Sequence, residues 1–236
     1  MSLRLLAIDT ATEACSVALF LDGEIRERYE VAGREHTQRL MAQVSQVMAD
    51  AGLVFSQLDG IACGIGPGSF AGVRIGVGYV KGLALALDRP VVGVSSLAML
   101  ALRAVRLEAA EHVLAAIDAR MNEVYCGAYR RTATGLIEKC GPETVCAPEA
   151  MPKATSSSAV AAGSGWSAYR EILSKAADTK ITRYFPEALP HAEEALHLAL
   201  PRFKAGQGLN ADDLVPAYLR DKVALTLDEQ KALRKS

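Results

Sequence analysis

The sequence predicts an α/β fold of two lobes that follow one plan. Short apolar runs of strand length alternate with longer stretches of helical periodicity along the 236 residues. Residues 5–9 (Leu-Leu-Ala-Ile-Asp) return as residues 114–118 (Leu-Ala-Ala-Ile-Asp), 109 positions later, and a strand-like run follows each copy. Half of the residues are apolar and 22% are charged, which suffices for a sizeable core. We therefore expect a tandem repeat, with one lobe over residues 1–108 and a second over 109–236.

The first lobe opens with three strands. We predict them over residues 3–8, 15–21 and 24–31, because Asp22-Gly23 is a strong signal for a two-residue hairpin turn. The other predicted elements are a helix over 36–51 that Gly52 ends, a strand over 59–65, a helix over 69–87, a strand over 91–94 and a helix capped by Ser95 or Ser96. This order is that of the ribonuclease-H-like unit of actin-like ATPases, and it indicates a fold without indicating a function.

The second lobe is a degenerate copy of the first. Residues 119–125 contain no glycine that would let a phosphate approach the turn after Asp118. Asp118 and Arg120 are either a structural turn pair or part of a ligand site. Helices are predicted over residues 166–176 and 190–204, and the mostly polar residues after Asp221 are expected to form a loose helix or a tail.

Composition argues against several classes of protein. The formal net charge is −1 and the pI is about 6.4, so no global positive field attracts nucleic acid or an anionic membrane. The five cysteines never form Cys-x-x-Cys, which argues against a disulfide framework and a zinc site. Asp9 comes too early for a secretory signal, and no stretch approaches the roughly 20 apolar residues of a membrane span. We expect a cytoplasmic protein with reduced thiols and no membrane contact.

Residues 64–76 (Gly-Ile-Gly-Pro-Gly-Ser-Phe-Ala-Gly-Val-Arg-Ile-Gly) are the most unusual segment. Five glycines stand at a predicted turn from a strand to a helix. Such a turn can direct free amides at an anion, yet this spacing matches neither the dinucleotide fingerprint nor the P-loop. Two interpretations stay open: a ligand-binding loop, or tight packing between the helix and the strand.

A weak nucleotide site is one candidate function of this turn. The segment Asp9-Thr-Ala-Thr12 would add a carboxylate and two hydroxyls from the first strand. The candidate residues for weak binding of ATP or ADP are Asp9, Thr10, Thr12, Gly66, Gly68 and Ser69. An actin-fold ATPase or kinase acting on its own would use Mg²⁺ with Asp9, Thr10, Thr12 and Asp118. Because the second copy lacks a matching phosphate site, we expect weak or absent hydrolysis and no required cofactor.

Other catalytic chemistries lack their residues in this sequence. His191 and His197 are six positions apart, which separates them by about 120° on a helix and prevents them from sharing a metal. Cysteine and glycines occupy the predicted strand before Ile65, where a two-metal nuclease would need an acid. A serine nucleophile at Ser69 would need a histidine as its general base, and His36 is the only candidate near it in the predicted fold. We predict no metal site and no catalytic residue.

The first two helices carry a candidate surface for another protein. Small residues let a second helix approach closely, and methionine adapts to different partners. The candidate partner-binding residues are Leu40, Met41, Val44, Met48, Val73, Val77, Val80, Lys81 and Ala84. Packing in the protein's own core is the alternative interpretation of these apolar stripes.

Several segments together resemble the bacterial TsaB (YeaZ) family. The resemblance runs through nearly the whole chain and rests on five features: residues 6–12 (Leu-Ala-Ile-Asp-Thr-Ala-Thr), His36, residues 66–76, residues 117–125 (Ile-Asp-Ala-Arg-Met-Asn-Glu-Val-Tyr) and residues 216–220 (Pro-Ala-Tyr-Leu-Arg). The Pro-Gly-Ser-Phe block is the most diagnostic. Ala71 and Val73 depart from the threonine and leucine common in relatives, which removes a hydroxyl and weakens the case for a ligand at this turn.

The resemblance implies an accessory role in making threonylcarbamoyladenosine on tRNA. A larger, metal-bearing paralogue (TsaD) would transfer the threonylcarbamoyl group to the adenosine beside the anticodon, and this chain would be its non-catalytic subunit. Family members pair through the first two helices, with the paralogue or, when alone, with themselves. A small ATPase (TsaE) would dock on the heterodimer, and tRNA would be contacted only through the complex.

Overall fold

The computed structural model describes residues 3–33 and 35–220. The first sheet has five strands: β1 (Leu5–Asp9), β2 (Ala14–Leu21), β3 (Glu24–Val31), β4 (Gly60–Gly64) and β5 (Val91–Val94). They lie in the order β3-β2-β1-β4-β5, with β2 antiparallel to both of its neighbours and β4 and β5 parallel to β1. The predicted hairpin turn is confirmed, because Asp22 and Gly23 both have positive φ, at 52° and 90°.

Three helices belong to the first half: α1 (His36–Asp50), α2 (Phe70–Leu87) and α3 (Ser96–Glu108). Gly52 follows the end of α1 with φ at 65°, as expected of a residue that stops a helix. Ser69 caps α2, since its Oγ accepts a hydrogen bond from the Gly72 amide at 3.3 Å. Ser95 rather than Ser96 caps α3, because the Ser95 Oγ accepts from the Ala98 amide at 3.4 Å.

The second half repeats this plan in reduced form. Its elements are β6 (His112–Arg120), β7 (Glu123–Arg131), β8 (Ile137–Lys139), β9 (Thr144–Cys146), β10 (Ser158–Ala162), α4 (Gly165–Ala177), β11 (Lys180–Phe185) and α5 (Ala192–Lys204). The sheet order β8-β7-β6-β10-β11 matches β3-β2-β1-β4-β5 strand for strand. The short strand β9 and a 3₁₀ helix (Pro148–Ala150) stand where a counterpart of α1 would be. The predicted degenerate repeat is therefore confirmed.

The helices form three layers around the two sheets. Along β1, Leu6 and Ile8 pack with α1 and α2, whereas Leu5 and Ala7 point to the opposite face and pack with α5. The other sheet packs α3 on one face and α4 on the other. Thus α5 of the second half covers the first sheet, and α3 of the first half covers the second. The proposed boundary between residues 108 and 109 separates the two sheets, but each half places one helix, α3 or α5, on the sheet of the other half.

Seven of the nine candidate partner-binding residues belong to the protein's own core. At most 6% of each is exposed: Leu40, Val44, Met48, Val73, Val77, Val80 and Ala84. They pack against β1, β2 and β4, so a partner could reach them only if the lobe opened. Met41 is exposed, and Lys81 is partly exposed with its Nζ donating to the Asp212 carbonyl at 3.1 Å. We correct the predicted surface accordingly, because the stripe used to define it is the core-facing stripe.

Helix α2 is apolar beyond its core-facing stripe. By length and composition alone it is long and apolar enough to cross a membrane, with a mean hydropathy of 1.4 over 18 residues. This differs from the expectation that no stretch approaches such a span. The reason is its outward face, where Ala71, Ile75, Gly78, Gly82, Leu85 and Ala86 carry no charge and the exposed Arg74 lies at one edge. In the structure one third of the helix is buried against the first sheet.

Candidate functional site

A cleft of about 770 Å³ lies between the two halves. The first half contributes the loop after β1, including Thr12, and the beginnings of α1 and α2, including Ser69. The second half contributes the end of β6, including Asp118, and the beginning of α4, including Ser164. Residues 216–220 complete the wall. Of the candidate nucleotide residues, the cleft brings together Thr12, Gly68 and Ser69.

The glycine block allows α2 to lie directly against the chain that follows β1. A Cβ at Gly68 would lie 2.1 Å from the Ala11 carbonyl oxygen, and one at Gly72 would lie 2.1 Å from the Thr10 carbonyl oxygen. Any side chain at these two positions would push the helix away. Of the two interpretations of this block, the contacts support tight packing between the helix and the strand.

The candidate nucleotide residues separate into two groups. Thr12, Gly68 and Ser69 line the cleft. Thr10 is fully buried, and its Oγ1 donates to the Gly72 carbonyl at 2.7 Å. Asp9 and Gly66 are buried as well and do not line the cleft. The structure therefore corrects half of the predicted set, because Asp9, Thr10 and Gly66 are enclosed by the protein's own packing and do not reach the cleft.

Asp9 lies in an environment that disfavours its charge. It is fully buried, and its Oδ1 has no hydrogen-bond partner among the described residues. A Cβ at Gly64 would lie only 1.8 Å from that oxygen, so the carboxyl group occupies the space that the glycine leaves. Burial raises the pKa of Asp9 to about 7, against the opposing effects of the Ala11 amide and of His191. The carboxyl group thus helps to fill the core and has no route to a ligand in the cleft.

Asp118, the counterpart of Asp9 in the second half, takes part in a turn. Its Oδ1 accepts from the Arg120 amide at 2.9 Å, and its Oδ2 lies 3.0 Å from the Arg120 Nη1. Arg120, Met121 and Asn122 all have φ between 55° and 60°, which the tight turn into β7 requires. The structural interpretation of the Asp118–Arg120 pair is therefore supported.

His36 positions the loop after β1. It is buried, and its Nε2 donates to the Thr12 carbonyl at 2.8 Å. This hydrogen bond gives the histidine at the start of α1 a structural role that requires no metal ion. The described part of the chain contains no group of three or more His, Cys, Asp or Glu side chains that could hold a metal ion.

Residues 216–220 cross the cleft from one half to the other. The Ala217 amide donates to the Ile65 carbonyl at 2.8 Å in the first half. The Arg220 Nη2 donates to the Ala119 carbonyl at 3.0 Å and to Glu123 at 2.5 Å in the second half. Sequence reasoning included this segment in the family resemblance but assigned it no role. The predicted tail after Asp221 lies outside the described residues.

A partly buried polar cluster, which sequence reasoning missed, fastens α5 to the first sheet. Glu27 on β3 accepts hydrogen bonds from the Ser16 Oγ at 2.7 Å and the Glu193 amide at 3.0 Å, and it lies 2.8 Å from the His191 Nδ1. Burial alone would raise the pKa of Glu27, but the hydrogen bonds from His191 and Glu193 outweigh burial, and the pKa lies below its ordinary value. The His191 ring also stacks on Tyr29 at 4.0 Å between centroids. No sequence spacing signals this cluster, because Glu27 on β3 is more than 160 residues from His191 and Glu193.

A second exposed feature is the outward face of α2, formed by Ala71, Ile75, Gly78, Gly82, Leu85 and Ala86. Leu85 is 59% exposed, and a Cβ at Gly78 or Gly82 would meet no atom within 4 Å. Met41 on the neighbouring helix α1 is 57% exposed. A helix that is apolar on both faces is ordinarily covered on both. The sequence contains the signal for this second face, as small and apolar residues at spacings of three and four.

Comparison with known proteins gives consistent results. The family model described as TsaD, tRNA N6-adenosine threonylcarbamoyltransferase, matches residues 29–226. The protein named tRNA threonylcarbamoyladenosine biosynthesis protein TsaB from Escherichia coli is 41% identical over 225 residues, covering 94% of this chain and 96% of the relative. The protein of that name from Haemophilus influenzae is 40% identical over 230 residues, covering 94% and 95%.

Two solved structures whose titles name YeaZ are similar to this chain in both fold and sequence. The structure titled YeaZ from Pseudomonas aeruginosa superposes with a TM-score of 0.85 at 46% identity, covering 92% of this chain and all of that one. A second structure from the same organism, titled as an uncharacterized protein with similarity to peptidase YEAZ, has a TM-score of 0.86 at 45% identity with the same coverage. The predicted two-lobed actin-like fold is confirmed, and the chain belongs to the TsaB (YeaZ) family.

Proposed function

We propose that this chain is a non-catalytic subunit of the complex that transfers a threonylcarbamoyl group to the adenosine next to the anticodon of tRNA. The relatives with which it shares about 40% of its residues over nearly its whole length are named for threonylcarbamoyladenosine biosynthesis. The family model that matches it is that of the transferase itself. A subunit related to the transferase, and paired with it, fits both similarities.

The burial of Asp9 is the observation that favours a non-catalytic subunit over an actin-fold ATPase or kinase. Hydrolysis in such a cleft needs a carboxylate that can reach the Mg²⁺–nucleotide complex. Here Asp9 is fully buried on the side of the first sheet where Glu27 and His191 lie, it does not line the cleft, and burial raises its pKa to about 7. Asp118, the matching carboxylate, is already paired with Arg120. Thr12, Gly68 and Ser69 could still support weak contact with ATP or ADP.

The metal-bearing paralogue TsaD is the partner that we propose for the outward face of α2. The centre of that face is apolar, with Arg74 at one edge, and its two exposed glycines leave room for a second helix to approach closely. In the absence of the paralogue, a second copy of this chain would cover the same face. We propose further that TsaE docks on the heterodimer in the cytoplasm and that tRNA is bound only through the complex.

Threonine incorporation into tRNA is the direct test of this proposal. The reconstituted system holds the adenylate-forming enzyme, TsaD and TsaE, with and without this chain. We expect incorporation of labelled threonine to depend on the chain, and Asp9→Asn to support it as well as the unchanged protein does. Full incorporation without the chain would contradict the proposal. So would sustained Mg²⁺-dependent ATP hydrolysis by the purified chain that is lost in Asp9→Ala.

A further inference from the structure

Two cysteines on neighbouring strands of the second half lie side by side. The Sγ of Cys126 on β7 is 3.7 Å from the Sγ of Cys146 on β9. In the antiparallel register Cys126 is opposite Thr144 and Cys146 is opposite Val124, so the two cysteines are diagonal neighbours on one face. The other three cysteines differ: Cys15 and Cys63 are buried in the first half, and Cys140 is exposed. The close pair of thiols has no part in the function proposed above.

The two thiols differ in their access to solvent. Cys126 is 1% exposed, whereas Cys146 is only partly buried. Burial raises the pKa of Cys126 to about 12, so this sulfur stays protonated at neutral pH. A dissolved oxidant therefore meets Cys146 first, with the Cys126 thiol directly behind it.

We propose that Cys146 and Cys126 form an oxidation site at which a hydroperoxide converts two thiols into a disulfide that joins β9 to β7. Cys146 attacks a peroxide oxygen, the O–O bond breaks, and a sulfenic acid and one water (or an alcohol) result. Cys126 then attacks the Cys146 sulfur, the S–S bond forms, the S–O bond breaks, and the proton of Cys126 leaves with the hydroxide as water. Two thiols and one hydrogen peroxide thus give one disulfide and two waters.

The local structure allows the sulfurs to meet. They must approach from 3.7 Å to about 2.05 Å, the length of a disulfide bond. Strand β9 has three residues and pairs only with β7 among the described strands, so a small shift of β9 disturbs no other pairing. The bond would tie the ends of the segment over residues 127–145, including β8, to one point of β7.

Peptide mapping tests the proposal on the full chain. Cys140 shares a tryptic fragment with Cys146 (residues 140–153), so the Cys140→Ser variant serves as the starting protein. It is treated with hydrogen peroxide while folded, blocked with a thiol-alkylating reagent and digested without reductant. We expect fragments 121–130 and 140–153 to appear joined by mass spectrometry, two hydrogens lighter than the separate thiols. Sulfoxide at Met121, which is 65% exposed, shows that the oxidant acted.

Two variants and a denatured sample are the controls. Cys126→Ser in the same background should accumulate the Cys146 sulfenic acid, which dimedone traps, and Cys146→Ser should leave Cys126 as a free thiol. The denatured chain should form mixed pairs that include Cys15 and Cys63, because the selectivity comes from the fold. Cys146 that stops at the sulfenic or sulfinic acid beside a free Cys126 would overturn the proposal. Linkage of two chains through Cys146, or no reaction at either thiol, would overturn it equally.

Discussion

Leu85→Arg is expected to abolish pairing of this chain with TsaD while leaving the fold intact. Leu85 is 59% exposed on the outward face of α2, so arginine is solvated in the free chain. In the complex the same arginine would be buried without a partner, at a cost of about 3–5 kcal/mol. That cost corresponds to a loss of affinity of roughly 100-fold or more. Co-elution with TsaD on a sizing column measures the loss, and threonine incorporation should fall with it.

Leu107→Arg is the matched control for this prediction. Leu107 is 65% exposed near the end of α3, away from α1 and α2. The change introduces the same side chain at similar exposure. The free energy of unfolding of each variant should therefore lie within about 0.5 kcal/mol of that of the unchanged chain. The Leu107 variant should pair normally. Equal co-elution of both variants with TsaD would mean that the outward face of α2 is not the interface.

Asp9→Asn is expected to stabilise the protein, and more strongly at pH 8 than at pH 5. The folded-state pKa of Asp9 is raised from 3.8 to about 7. The unfolded chain therefore ionises first as the pH rises, and the folded protein loses stability between these two values. By linkage, each unit of pH in that window costs about 1.4 kcal/mol, so the gain from Asp9→Asn at pH 8 should exceed that at pH 5 by about 3 kcal/mol. Chemical denaturation of both proteins at the two pH values measures this difference.

Asp118→Asn is the control at the matching position of the second half. Its carboxylate holds the Arg120 side chain and amide, so the change should bring no gain in stability at either pH. Asparagine at residue 9 keeps the size of the side chain and can still accept the hydrogen bond of the Ala11 amide. A gain for Asp9→Asn that is the same at both pH values would contradict the raised pKa as its cause.

The glycine block shows how far sequence reasoning reached at the candidate site. Its position at a strand-to-helix turn was predicted and is confirmed, because the turn separates β4 from the Ser69 cap of α2. Its purpose was left open between a ligand loop and tight packing. Only the distances from Gly68 and Gly72 to the carbonyls of residues 11 and 10 favour packing, since those contacts join segments about 60 residues apart.

The partner surface shows the limit of periodicity. Stripes of apolar residues on α1 and α2 were correctly identified, but a helical stripe has the same spacing whether it faces a core or a partner. Val77 and Val80 are core residues, and the apolar face with Leu85 points outward. The direction of each face depends on which sheet the helix covers, and the sequence of the helix does not contain that information.

Local chemistry in the sequence by itself determined the elements, the repeat and the family. The hairpin turn at residues 22–23, a serine cap at residue 95 or 96 and the Pro-Gly-Ser-Phe block are signals among near neighbours in the chain. The repeat is a match between two such local segments, residues 5–9 and 114–118. Tertiary structure alone decided that Asp9 is closed off from the cleft, that α3 and α5 cover each other's sheets and that Cys126 touches Cys146. These features depend on contacts between distant segments, and such contacts are set by the packing of whole layers.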